Sequence, residues 1–273
     1  MRGRIWPAAV AAVVVVLAVV AVVLLTRDDE SPQAQCRLVT PPSTAPVNDT
    51  TTVRITEQGY TEVRSPGSTT VTIGAVLENP SDRVAYRTRV TFDVLGPVGA
   101  SVVNEVFRRF QTLEVPLILP GAKVPIGDSL GLARSTTANS VSIKPVVTRW
   151  LPAGDGNDGL APVTTTLVPE KTTRDADGSG VITYNARSAN CTDLVSRGSS
   201  YILRDPSGKL IGGGVSNDPE GSGCDTSENR YTNTFNTALR SIPQQADLPK
   251  TEVASLCDLS PRPTTTSTDA PIN

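Results

Sequence analysis

Apolar and polar positions fall into two contrasting patterns along this chain. Ala8 to Leu25 is an unbroken run of 18 Ala, Val and Leu residues, preceded by Ile5 and Trp6. As a helix it would span roughly 27 Å, close to the hydrocarbon thickness of a bilayer. The run therefore predicts a membrane-spanning helix, with Pro7 in the first turn, where a missing N–H is harmless. Arg2 and Arg4 precede it, and Asp28, Asp29 and Glu30 follow Arg27. That asymmetry predicts a cytoplasmic N-terminus and an extracytoplasmic remainder. A cleaved leader is the competing reading. Its apolar core would be shorter, and the candidate site before Gln35 places Pro32 and Ala34 at the key positions, a poor match to A-x-A.

Beyond the anchor the pattern changes to short alternating runs separated by turn residues. Val53-Arg54-Ile55-Thr56 and Thr70–Leu77 read as strands, with Ser65-Pro66-Gly67-Ser68 between them. Leu113, Val115, Leu117 and Leu119 alternate, predicting that all four share one strand face. Pro116 within that run predicts an edge strand or a bulge, and Pro120-Gly121 a turn. No long stretch has helical period. An internal repeat organises these runs. Phe92, Pro97 and Gly99 recur 109 residues later as Tyr201, Pro206 and Gly208, and at the same offset Ile73, Ala75 and Leu77 fall on Ile182, Tyr184 and Ala186. The fold class expected is all-β, with two tandem Ig-like antiparallel β-sandwich domains after one N-terminal transmembrane helix. The expected boundaries are 1–27 for a cytoplasmic stub and helix, 28–50 for a Pro/Thr-rich stalk, 51–152 and 160–259 for the sandwiches, and 260–273 for a disordered tail. Ala153 to Gly159 would join the sandwiches.

The segment Tyr201-Ile202-Leu203-Arg204-Asp205-Pro206-Ser207-Gly208 resembles the F-x-L-Y-D-x-x-G motif of FxLYD domains. In the first copy, Phe92-Asp93-Val94-Leu95-Gly96-Pro97-Val98-Gly99, Leu95 and Gly96 replace the motif's Tyr and Asp. Leu77-Glu78-Asn79-Pro80-Ser81 resembles the family's Asn-containing turn, and Ala189-Asn190-Cys191 lies near the matching place in the second copy. The resemblance covers roughly 35 residues per copy. It implies small extracytoplasmic sandwich modules of bacterial envelope proteins and no particular activity. Frequent Ala and Val, with 20 Arg among the 25 basic residues, point to a GC-rich genome and an actinobacterial envelope.

Composition removes several function classes. There are 25 basic and 27 acidic residues, a net charge of −2, so no basic face is expected for nucleic acid. Histidine is absent, which eliminates Ser-His and Cys-His nucleophile pairs and His-ligated zinc. No cofactor, metal or catalytic residue is expected. Cys36, Cys191, Cys224 and Cys257 all follow the anchor, and an even count there predicts two disulfides. Cys191–Cys224 is the favoured pairing, leaving Cys36–Cys257.

Three motifs carry candidate chemistry. Asp175-Ala176-Asp177-Gly178-Ser179-Gly180 has alternating carboxylates and a glycine turn like a calcium loop, but it lacks the later bidentate Glu, and a plain hairpin turn uses the same residues. Phe107-Arg108-Arg109-Phe110 has two readings: a plain exposed strand carrying alternating Arg, which is the commoner case, or a ligand contact in which Arg108 and Arg109 grip an anionic glycan or lipid head group. Gly212-Gly213-Gly214 lacks the following Lys-Ser/Thr of a phosphate loop and predicts a bulge or a close approach of strands. The function expected is a membrane-anchored, non-catalytic binding or scaffolding module. Its partners would be the membrane, through the N-terminal helix, and an envelope protein or cell-wall component. A glycan- or lipid-binding factor is the alternative, and a carboxylate-based hydrolase the more remote one.

Overall fold

The computed structural model describes Cys36, Leu38 and residues 52–65, 67–152, 159–217, 223–226, 233–239 and 242–260. The apolar run at 8–25 lies outside these residues, as do nearly all of the expected stalk, the expected joining loop at 153–158 and the tail from 261. Among the described residues no helix is long and apolar enough to cross a membrane.

Alternating apolar positions make strands where one side of the backbone can be buried. Six strands come first: β1 (Arg54–Ser65), β2 (Ser68–Glu78), β3 (Arg83–Leu95), β4 (Thr112–Ile118), β5 (Lys123–Gly131) and β6 (Ser140–Pro152). Then follow β7 (Val163–Leu167), β8 (Thr173–Arg174), β9 (Gly180–Ser188), β10 (Val195–Arg204), β11 (Leu210–Ser216), β12 (Asn233–Leu239) and β13 (Glu252–Asp258). They form four antiparallel sheets, ordered β1-β2-β5, β4-β3-β6, β12-β9-β7 with β8 beside β9, and β11-β10-β13. The same path is traced twice. β2 lies between β1 and β5 as β9 lies between β7 and β12, and β3 lies between β4 and β6 as β10 lies between β11 and β13. The 109-residue repeat maps onto this path. Ile73, Ala75 and Leu77 are buried on β2, Ile182, Tyr184 and Ala186 on β9, and Phe92 and Tyr201 on β3 and β10.

The larger core draws on β2, β5, β3, β4 and β6, with Phe92, Ile73, Leu113 and Leu130 at its centre. A second core joins Ile182, Tyr184, Tyr201, Leu203 and Val253. The two are not insulated. Leu256 of β13 is buried in the larger core, and Val76 of β2 packs with Ile202 and Leu210 of β10 and β11. Residues Arg37–Asn273 accordingly form one compact unit.

Glycine makes the contact between the β1-β2-β5 and β11-β10-β13 sheets possible. A Cβ on Gly127 would sit 2.6 Å from the Tyr201 carbonyl oxygen, and one on Gly212 would sit 2.7 Å from Thr72 Oγ1. Gly59 and Gly74 are closed off in the same way by the backbone of Leu210 and Gly212. Backbone thus lies on backbone, and polar groups use the proximity. Thr72 Oγ1 donates to the Gly213 carbonyl at 2.6 Å and accepts from the Gly213 amide at 2.9 Å, while Ser200 Oγ accepts from the Gly127 amide at 2.9 Å. The Gly212–Gly214 run is therefore a close approach of strands.

One strand departs from its sequence pattern. Leu113 and Val115 enter the larger core as expected, but Ile118 follows them in, while Leu117 and Leu119 pack outward with Val84, Tyr86 and Leu151. The change of face centres on Arg87 of β3, with no shift of register between the strands. Tyr86 pairs with Leu117 and Thr88 with Val115, leaving Arg87 between them at φ 52°, opposite Pro116. Proline has no N–H for the ladder, so the gap in pairing there sacrifices little, and the left-handed backbone of Arg87 lets the side chains before and after it face opposite ways. Pro116 also lies on a sheet edge, since β4 pairs only with β3 among the described strands.

Candidate functional site

The Arg108–Arg109 segment belongs to the excursion between β3 and β4. Phe107–Phe110 does not form the strand its alternation predicts. Glu105–Arg108 is a single helical turn, α1, followed by Arg109 at helical φ and ψ. Local capping overrides the β pattern here. Asn104 Oδ1 accepts from the Val106 amide at 3.1 Å, Glu105 lies in the first turn and Arg108 in the last. The turn is fastened at both ends. The Asn104 amide donates to the Gly131 carbonyl at 2.9 Å, and Gln111 Nε2 donates to the Phe92 carbonyl and to Asp93 Oδ1, both at 3.1 Å. The Phe107 ring lies over Gly131, where a Cβ would come within 2.5 Å of it. The outward side of this held turn is apolar and cationic. Val106 is 62% and Phe107 37% exposed, Arg108 and Arg109 are exposed, and the Arg109 guanidinium sits 4.6 Å from the Phe110 ring centroid.

A second charged cluster has no motif in the sequence. Asp258, at the end of β13, is fully buried. Its Oδ2 accepts from Arg87 Nη2 at 2.9 Å and from Arg197 Nη2 at 3.0 Å, and its Oδ1 accepts from the Tyr86 hydroxyl at 3.1 Å. Glu114 lies 3.8 Å from Arg87 Nε. Two arginines face two carboxylates, so the cluster is internally balanced, and its members come from β3, β4, β10 and β13. The left-handed backbone of Arg87 is what turns its side chain into this group.

Between the β4–β5 hairpin and the strands β7 and β13 lies an apolar pocket of about 210 Å³. Leu117 and Leu119, which face outward, form part of its wall with Val124, Pro162, Val163 and Leu256. Lys123 lies at its margin and is exposed. Ser255 is among its lining residues, and its Oγ is buried without a hydrogen-bond partner.

The Asp175–Gly180 segment is a turn whose carboxylates serve the turn itself. Ser179 Oγ donates to Asp177 Oδ1 at 2.6 Å and lies 3.2 Å from Asp175 Oδ2, and the Ser179 amide donates to Asp177 Oδ1 at 2.9 Å. These bonds from the Ser179 hydroxyl and amide hold the Asp177 carboxyl below the usual range. Gly178 supplies the φ of 84° that the turn requires.

The cysteine pairing differs from the expectation. Cys224 is bonded to Cys257, with a Cα–Cα distance of 5.6 Å, and so not to Cys191, which excludes Cys36–Cys257 as well. No cysteine is free, and Cys36 and Cys191 are the other two half-cystines. Cys224 stands 33 residues from Cys257 and also 33 from Cys191 (224−191), so loop-closure entropy favours neither pairing. Strand pairing decides it. Cys257 lies beside Ser196 in the β10–β13 ladder, and Leu194, just before β10, donates its amide to the Cys224 carbonyl at 3.1 Å.

No protein family, no curated protein and no solved structure matches the chain.

Proposed function

We propose that this protein is a single-pass, membrane-anchored module of the cell envelope whose strand-built body lies on the extracytoplasmic side and binds another envelope component without catalysis. In this reading the apolar run at 8–25 is the anchor, and the body is a duplicated pair of Ig-like sandwiches of the FxLYD kind from an actinobacterial envelope. The twice-traced strand path supports the duplication. The disulfides support an oxidising compartment, where such bonds persist.

The observation that carries the binding role is the turn at Val106–Arg109. Apolar and guanidinium groups are exposed together there on a backbone fastened to β3 and to the residue ending β5, and a rigid exposed anchor of this composition suits docking. A photoreactive phenylalanine analogue at position 107 in native cells tests it. A discrete adduct with one envelope protein, lost in Arg108→Ala/Arg109→Ala, is the expected result. A surface-displayed chain that yields no adduct would overturn it. The second reading, an anionic glycan or lipid head group, is favoured by the paired exposed guanidinium groups. Retention on isolated cell wall or anionic vesicles that disappears in the double variant would select it.

A further inference from the structure

We infer that the component docked at the Val106–Arg109 turn is a protein with an acidic contact surface, and that two further loops of the same end, Gly96–Ala100 and Ala133–Asn139, share the contact; this rests on the docking role proposed for that turn. Exposed apolar side chains concentrate at this end. Of the five large hydrophobic residues exposed among the described residues, Val98, Val106 and Phe107 lie on these loops. Val98 sits at the tip of the turn that the Gly99 amide closes on the Gly96 carbonyl, and it is 90% exposed. Such clustering marks a contact surface. The charges beside it are one-sided. Arg108, Arg109 and Arg134 are exposed and form no ion pair with a described residue, and Glu105 is the single acid on the three loops. The nearby acids are engaged elsewhere. Asp93 Oδ1 accepts from Ser101 Oγ at 2.6 Å and from Gln111, and Glu62 accepts from Arg64 and, at 3.0 Å, from the Ala138 amide. Three arginines against one glutamate on a chain of net charge −2 select an anionic partner.

The shape of this end is fixed. The Gly96 amide donates to the Ala100 carbonyl and the Val102 amide to the Val94 carbonyl, both at 2.9 Å, while the Ala133 amide donates to the Val102 carbonyl at 2.9 Å and the Asn139 amide to the Leu95 carbonyl at 2.8 Å. Bridges from Ser101 to Leu95 and from Val103 to Leu132 complete the stitching, and α1 is fastened beside them at Gly131. A surface ordered before binding loses little entropy on contact, which rewards a partner of fixed shape and brings no advantage on a fluid bilayer. Guanidinium forks pair carboxylates bidentately, and arginine beside an aromatic anchor is the composition that carries binding energy between proteins.

The test places the photoreactive phenylalanine analogue singly at positions 98, 107 and 137 of the full chain in native cells. All three adducts are expected to join the same protein, through peptides of that protein that carry Asp or Glu. Arg134→Glu should lower the adduct at position 107 about fivefold or more, and Arg134→Lys should largely retain it. Lys209→Glu, an equal change of net charge on the exposed β10–β11 turn, should leave it unaltered. Changing the acids of the joined peptide to Lys should restore the adduct of the Arg134→Glu chain. The proposal is overturned if Arg134→Glu and Lys209→Glu act alike, if the joined peptides hold no acidic residue, if positions 98 and 137 join other proteins or none, or if the adduct is a phospholipid. In each of these cases an adduct at position 107 leaves the docking role standing, whereas a displayed chain with no adduct at any position overturns both.

Discussion

On β5, Asp128 turns into the larger core between Ile126 and Leu130. Its Oδ1 accepts from the Ser129 amide at 2.7 Å, and its Oδ2 has no partner. Burial pushes its carboxyl up to about 7, against the pull of the Ser129 amide. In the unfolded chain the same group titrates near its ordinary value of about 3.9. Between those values the folded protein keeps the proton that the unfolded chain releases. Stability is therefore highest at the acid end, falls by up to about 1.4 kcal/mol per pH unit through the interval, and flattens above about 7. With no histidine in the chain, the window from pH 5 to 7 isolates this group. Urea midpoints should be lower at pH 7.5 than at pH 5, and Asp128→Asn should remove the difference. The glycines give a second prediction. Gly127→Ala forces a methyl against the Tyr201 carbonyl and should cost about 3 kcal/mol, whereas Gly67→Ala, at φ 83° with open space around it, should cost about 1 kcal/mol. Denaturant midpoints of the two variants check the order. The Gly212–Gly214 run was legible as a close approach because only glycine admits a facing backbone. Asp128 was not legible, because its burial depends on a strand register that no local pattern encodes.

At the scale of the element, β13 is tied down along its length. Cys257 is bonded to Cys224, Asp258 to Arg87 and Arg197, and Leu256 plugs the larger core. Replacing Asp258 with Ala leaves two arginines without their shared buried carboxylate and should cost about 3–5 kcal/mol in the denaturant midpoint. The double variant Cys224→Ser/Cys257→Ser should lose about 3–4 kcal/mol, read from thermal unfolding, in the chain-entropy picture for a 33-residue loop. Much of β2 and β9 could be read from alternation alone, since Ile73, Ala75, Leu77 and their counterparts face one way without interruption. β4 could not, because the change of face at Arg87 and Pro116, which leaves Leu117 and Leu119 turned outward, has no mark in the alternation. The apolar pocket shares that origin and was illegible for the same reason. Arg108 and Arg109 were found by composition, but Asn104 and Glu105 make their segment a helical turn.

For the whole molecule, the two strand sets should melt as one. Glycine-on-glycine contact, the Thr72–Gly213 hydrogen bonds and the ion pairs from Arg204 to Glu57 at 2.7 Å and to Glu252 at 2.6 Å all cross or border the contact between sheets. Scanning calorimetry should give a single transition with calorimetric and van't Hoff enthalpies in agreement. Two separated transitions would mean that the halves behave as beads on a string. The repeat made the doubling readable, yet it concealed the fusion, because a tandem pattern reports each copy and not what lies between them. Leu256 gives that fusion a direction in time. A side chain on β13 closes the wall of a core built from β2 to β6, so the leading half waits with one flank open until β13 has been made. A stop codon ahead of β13 would consequently strand both halves rather than delete one.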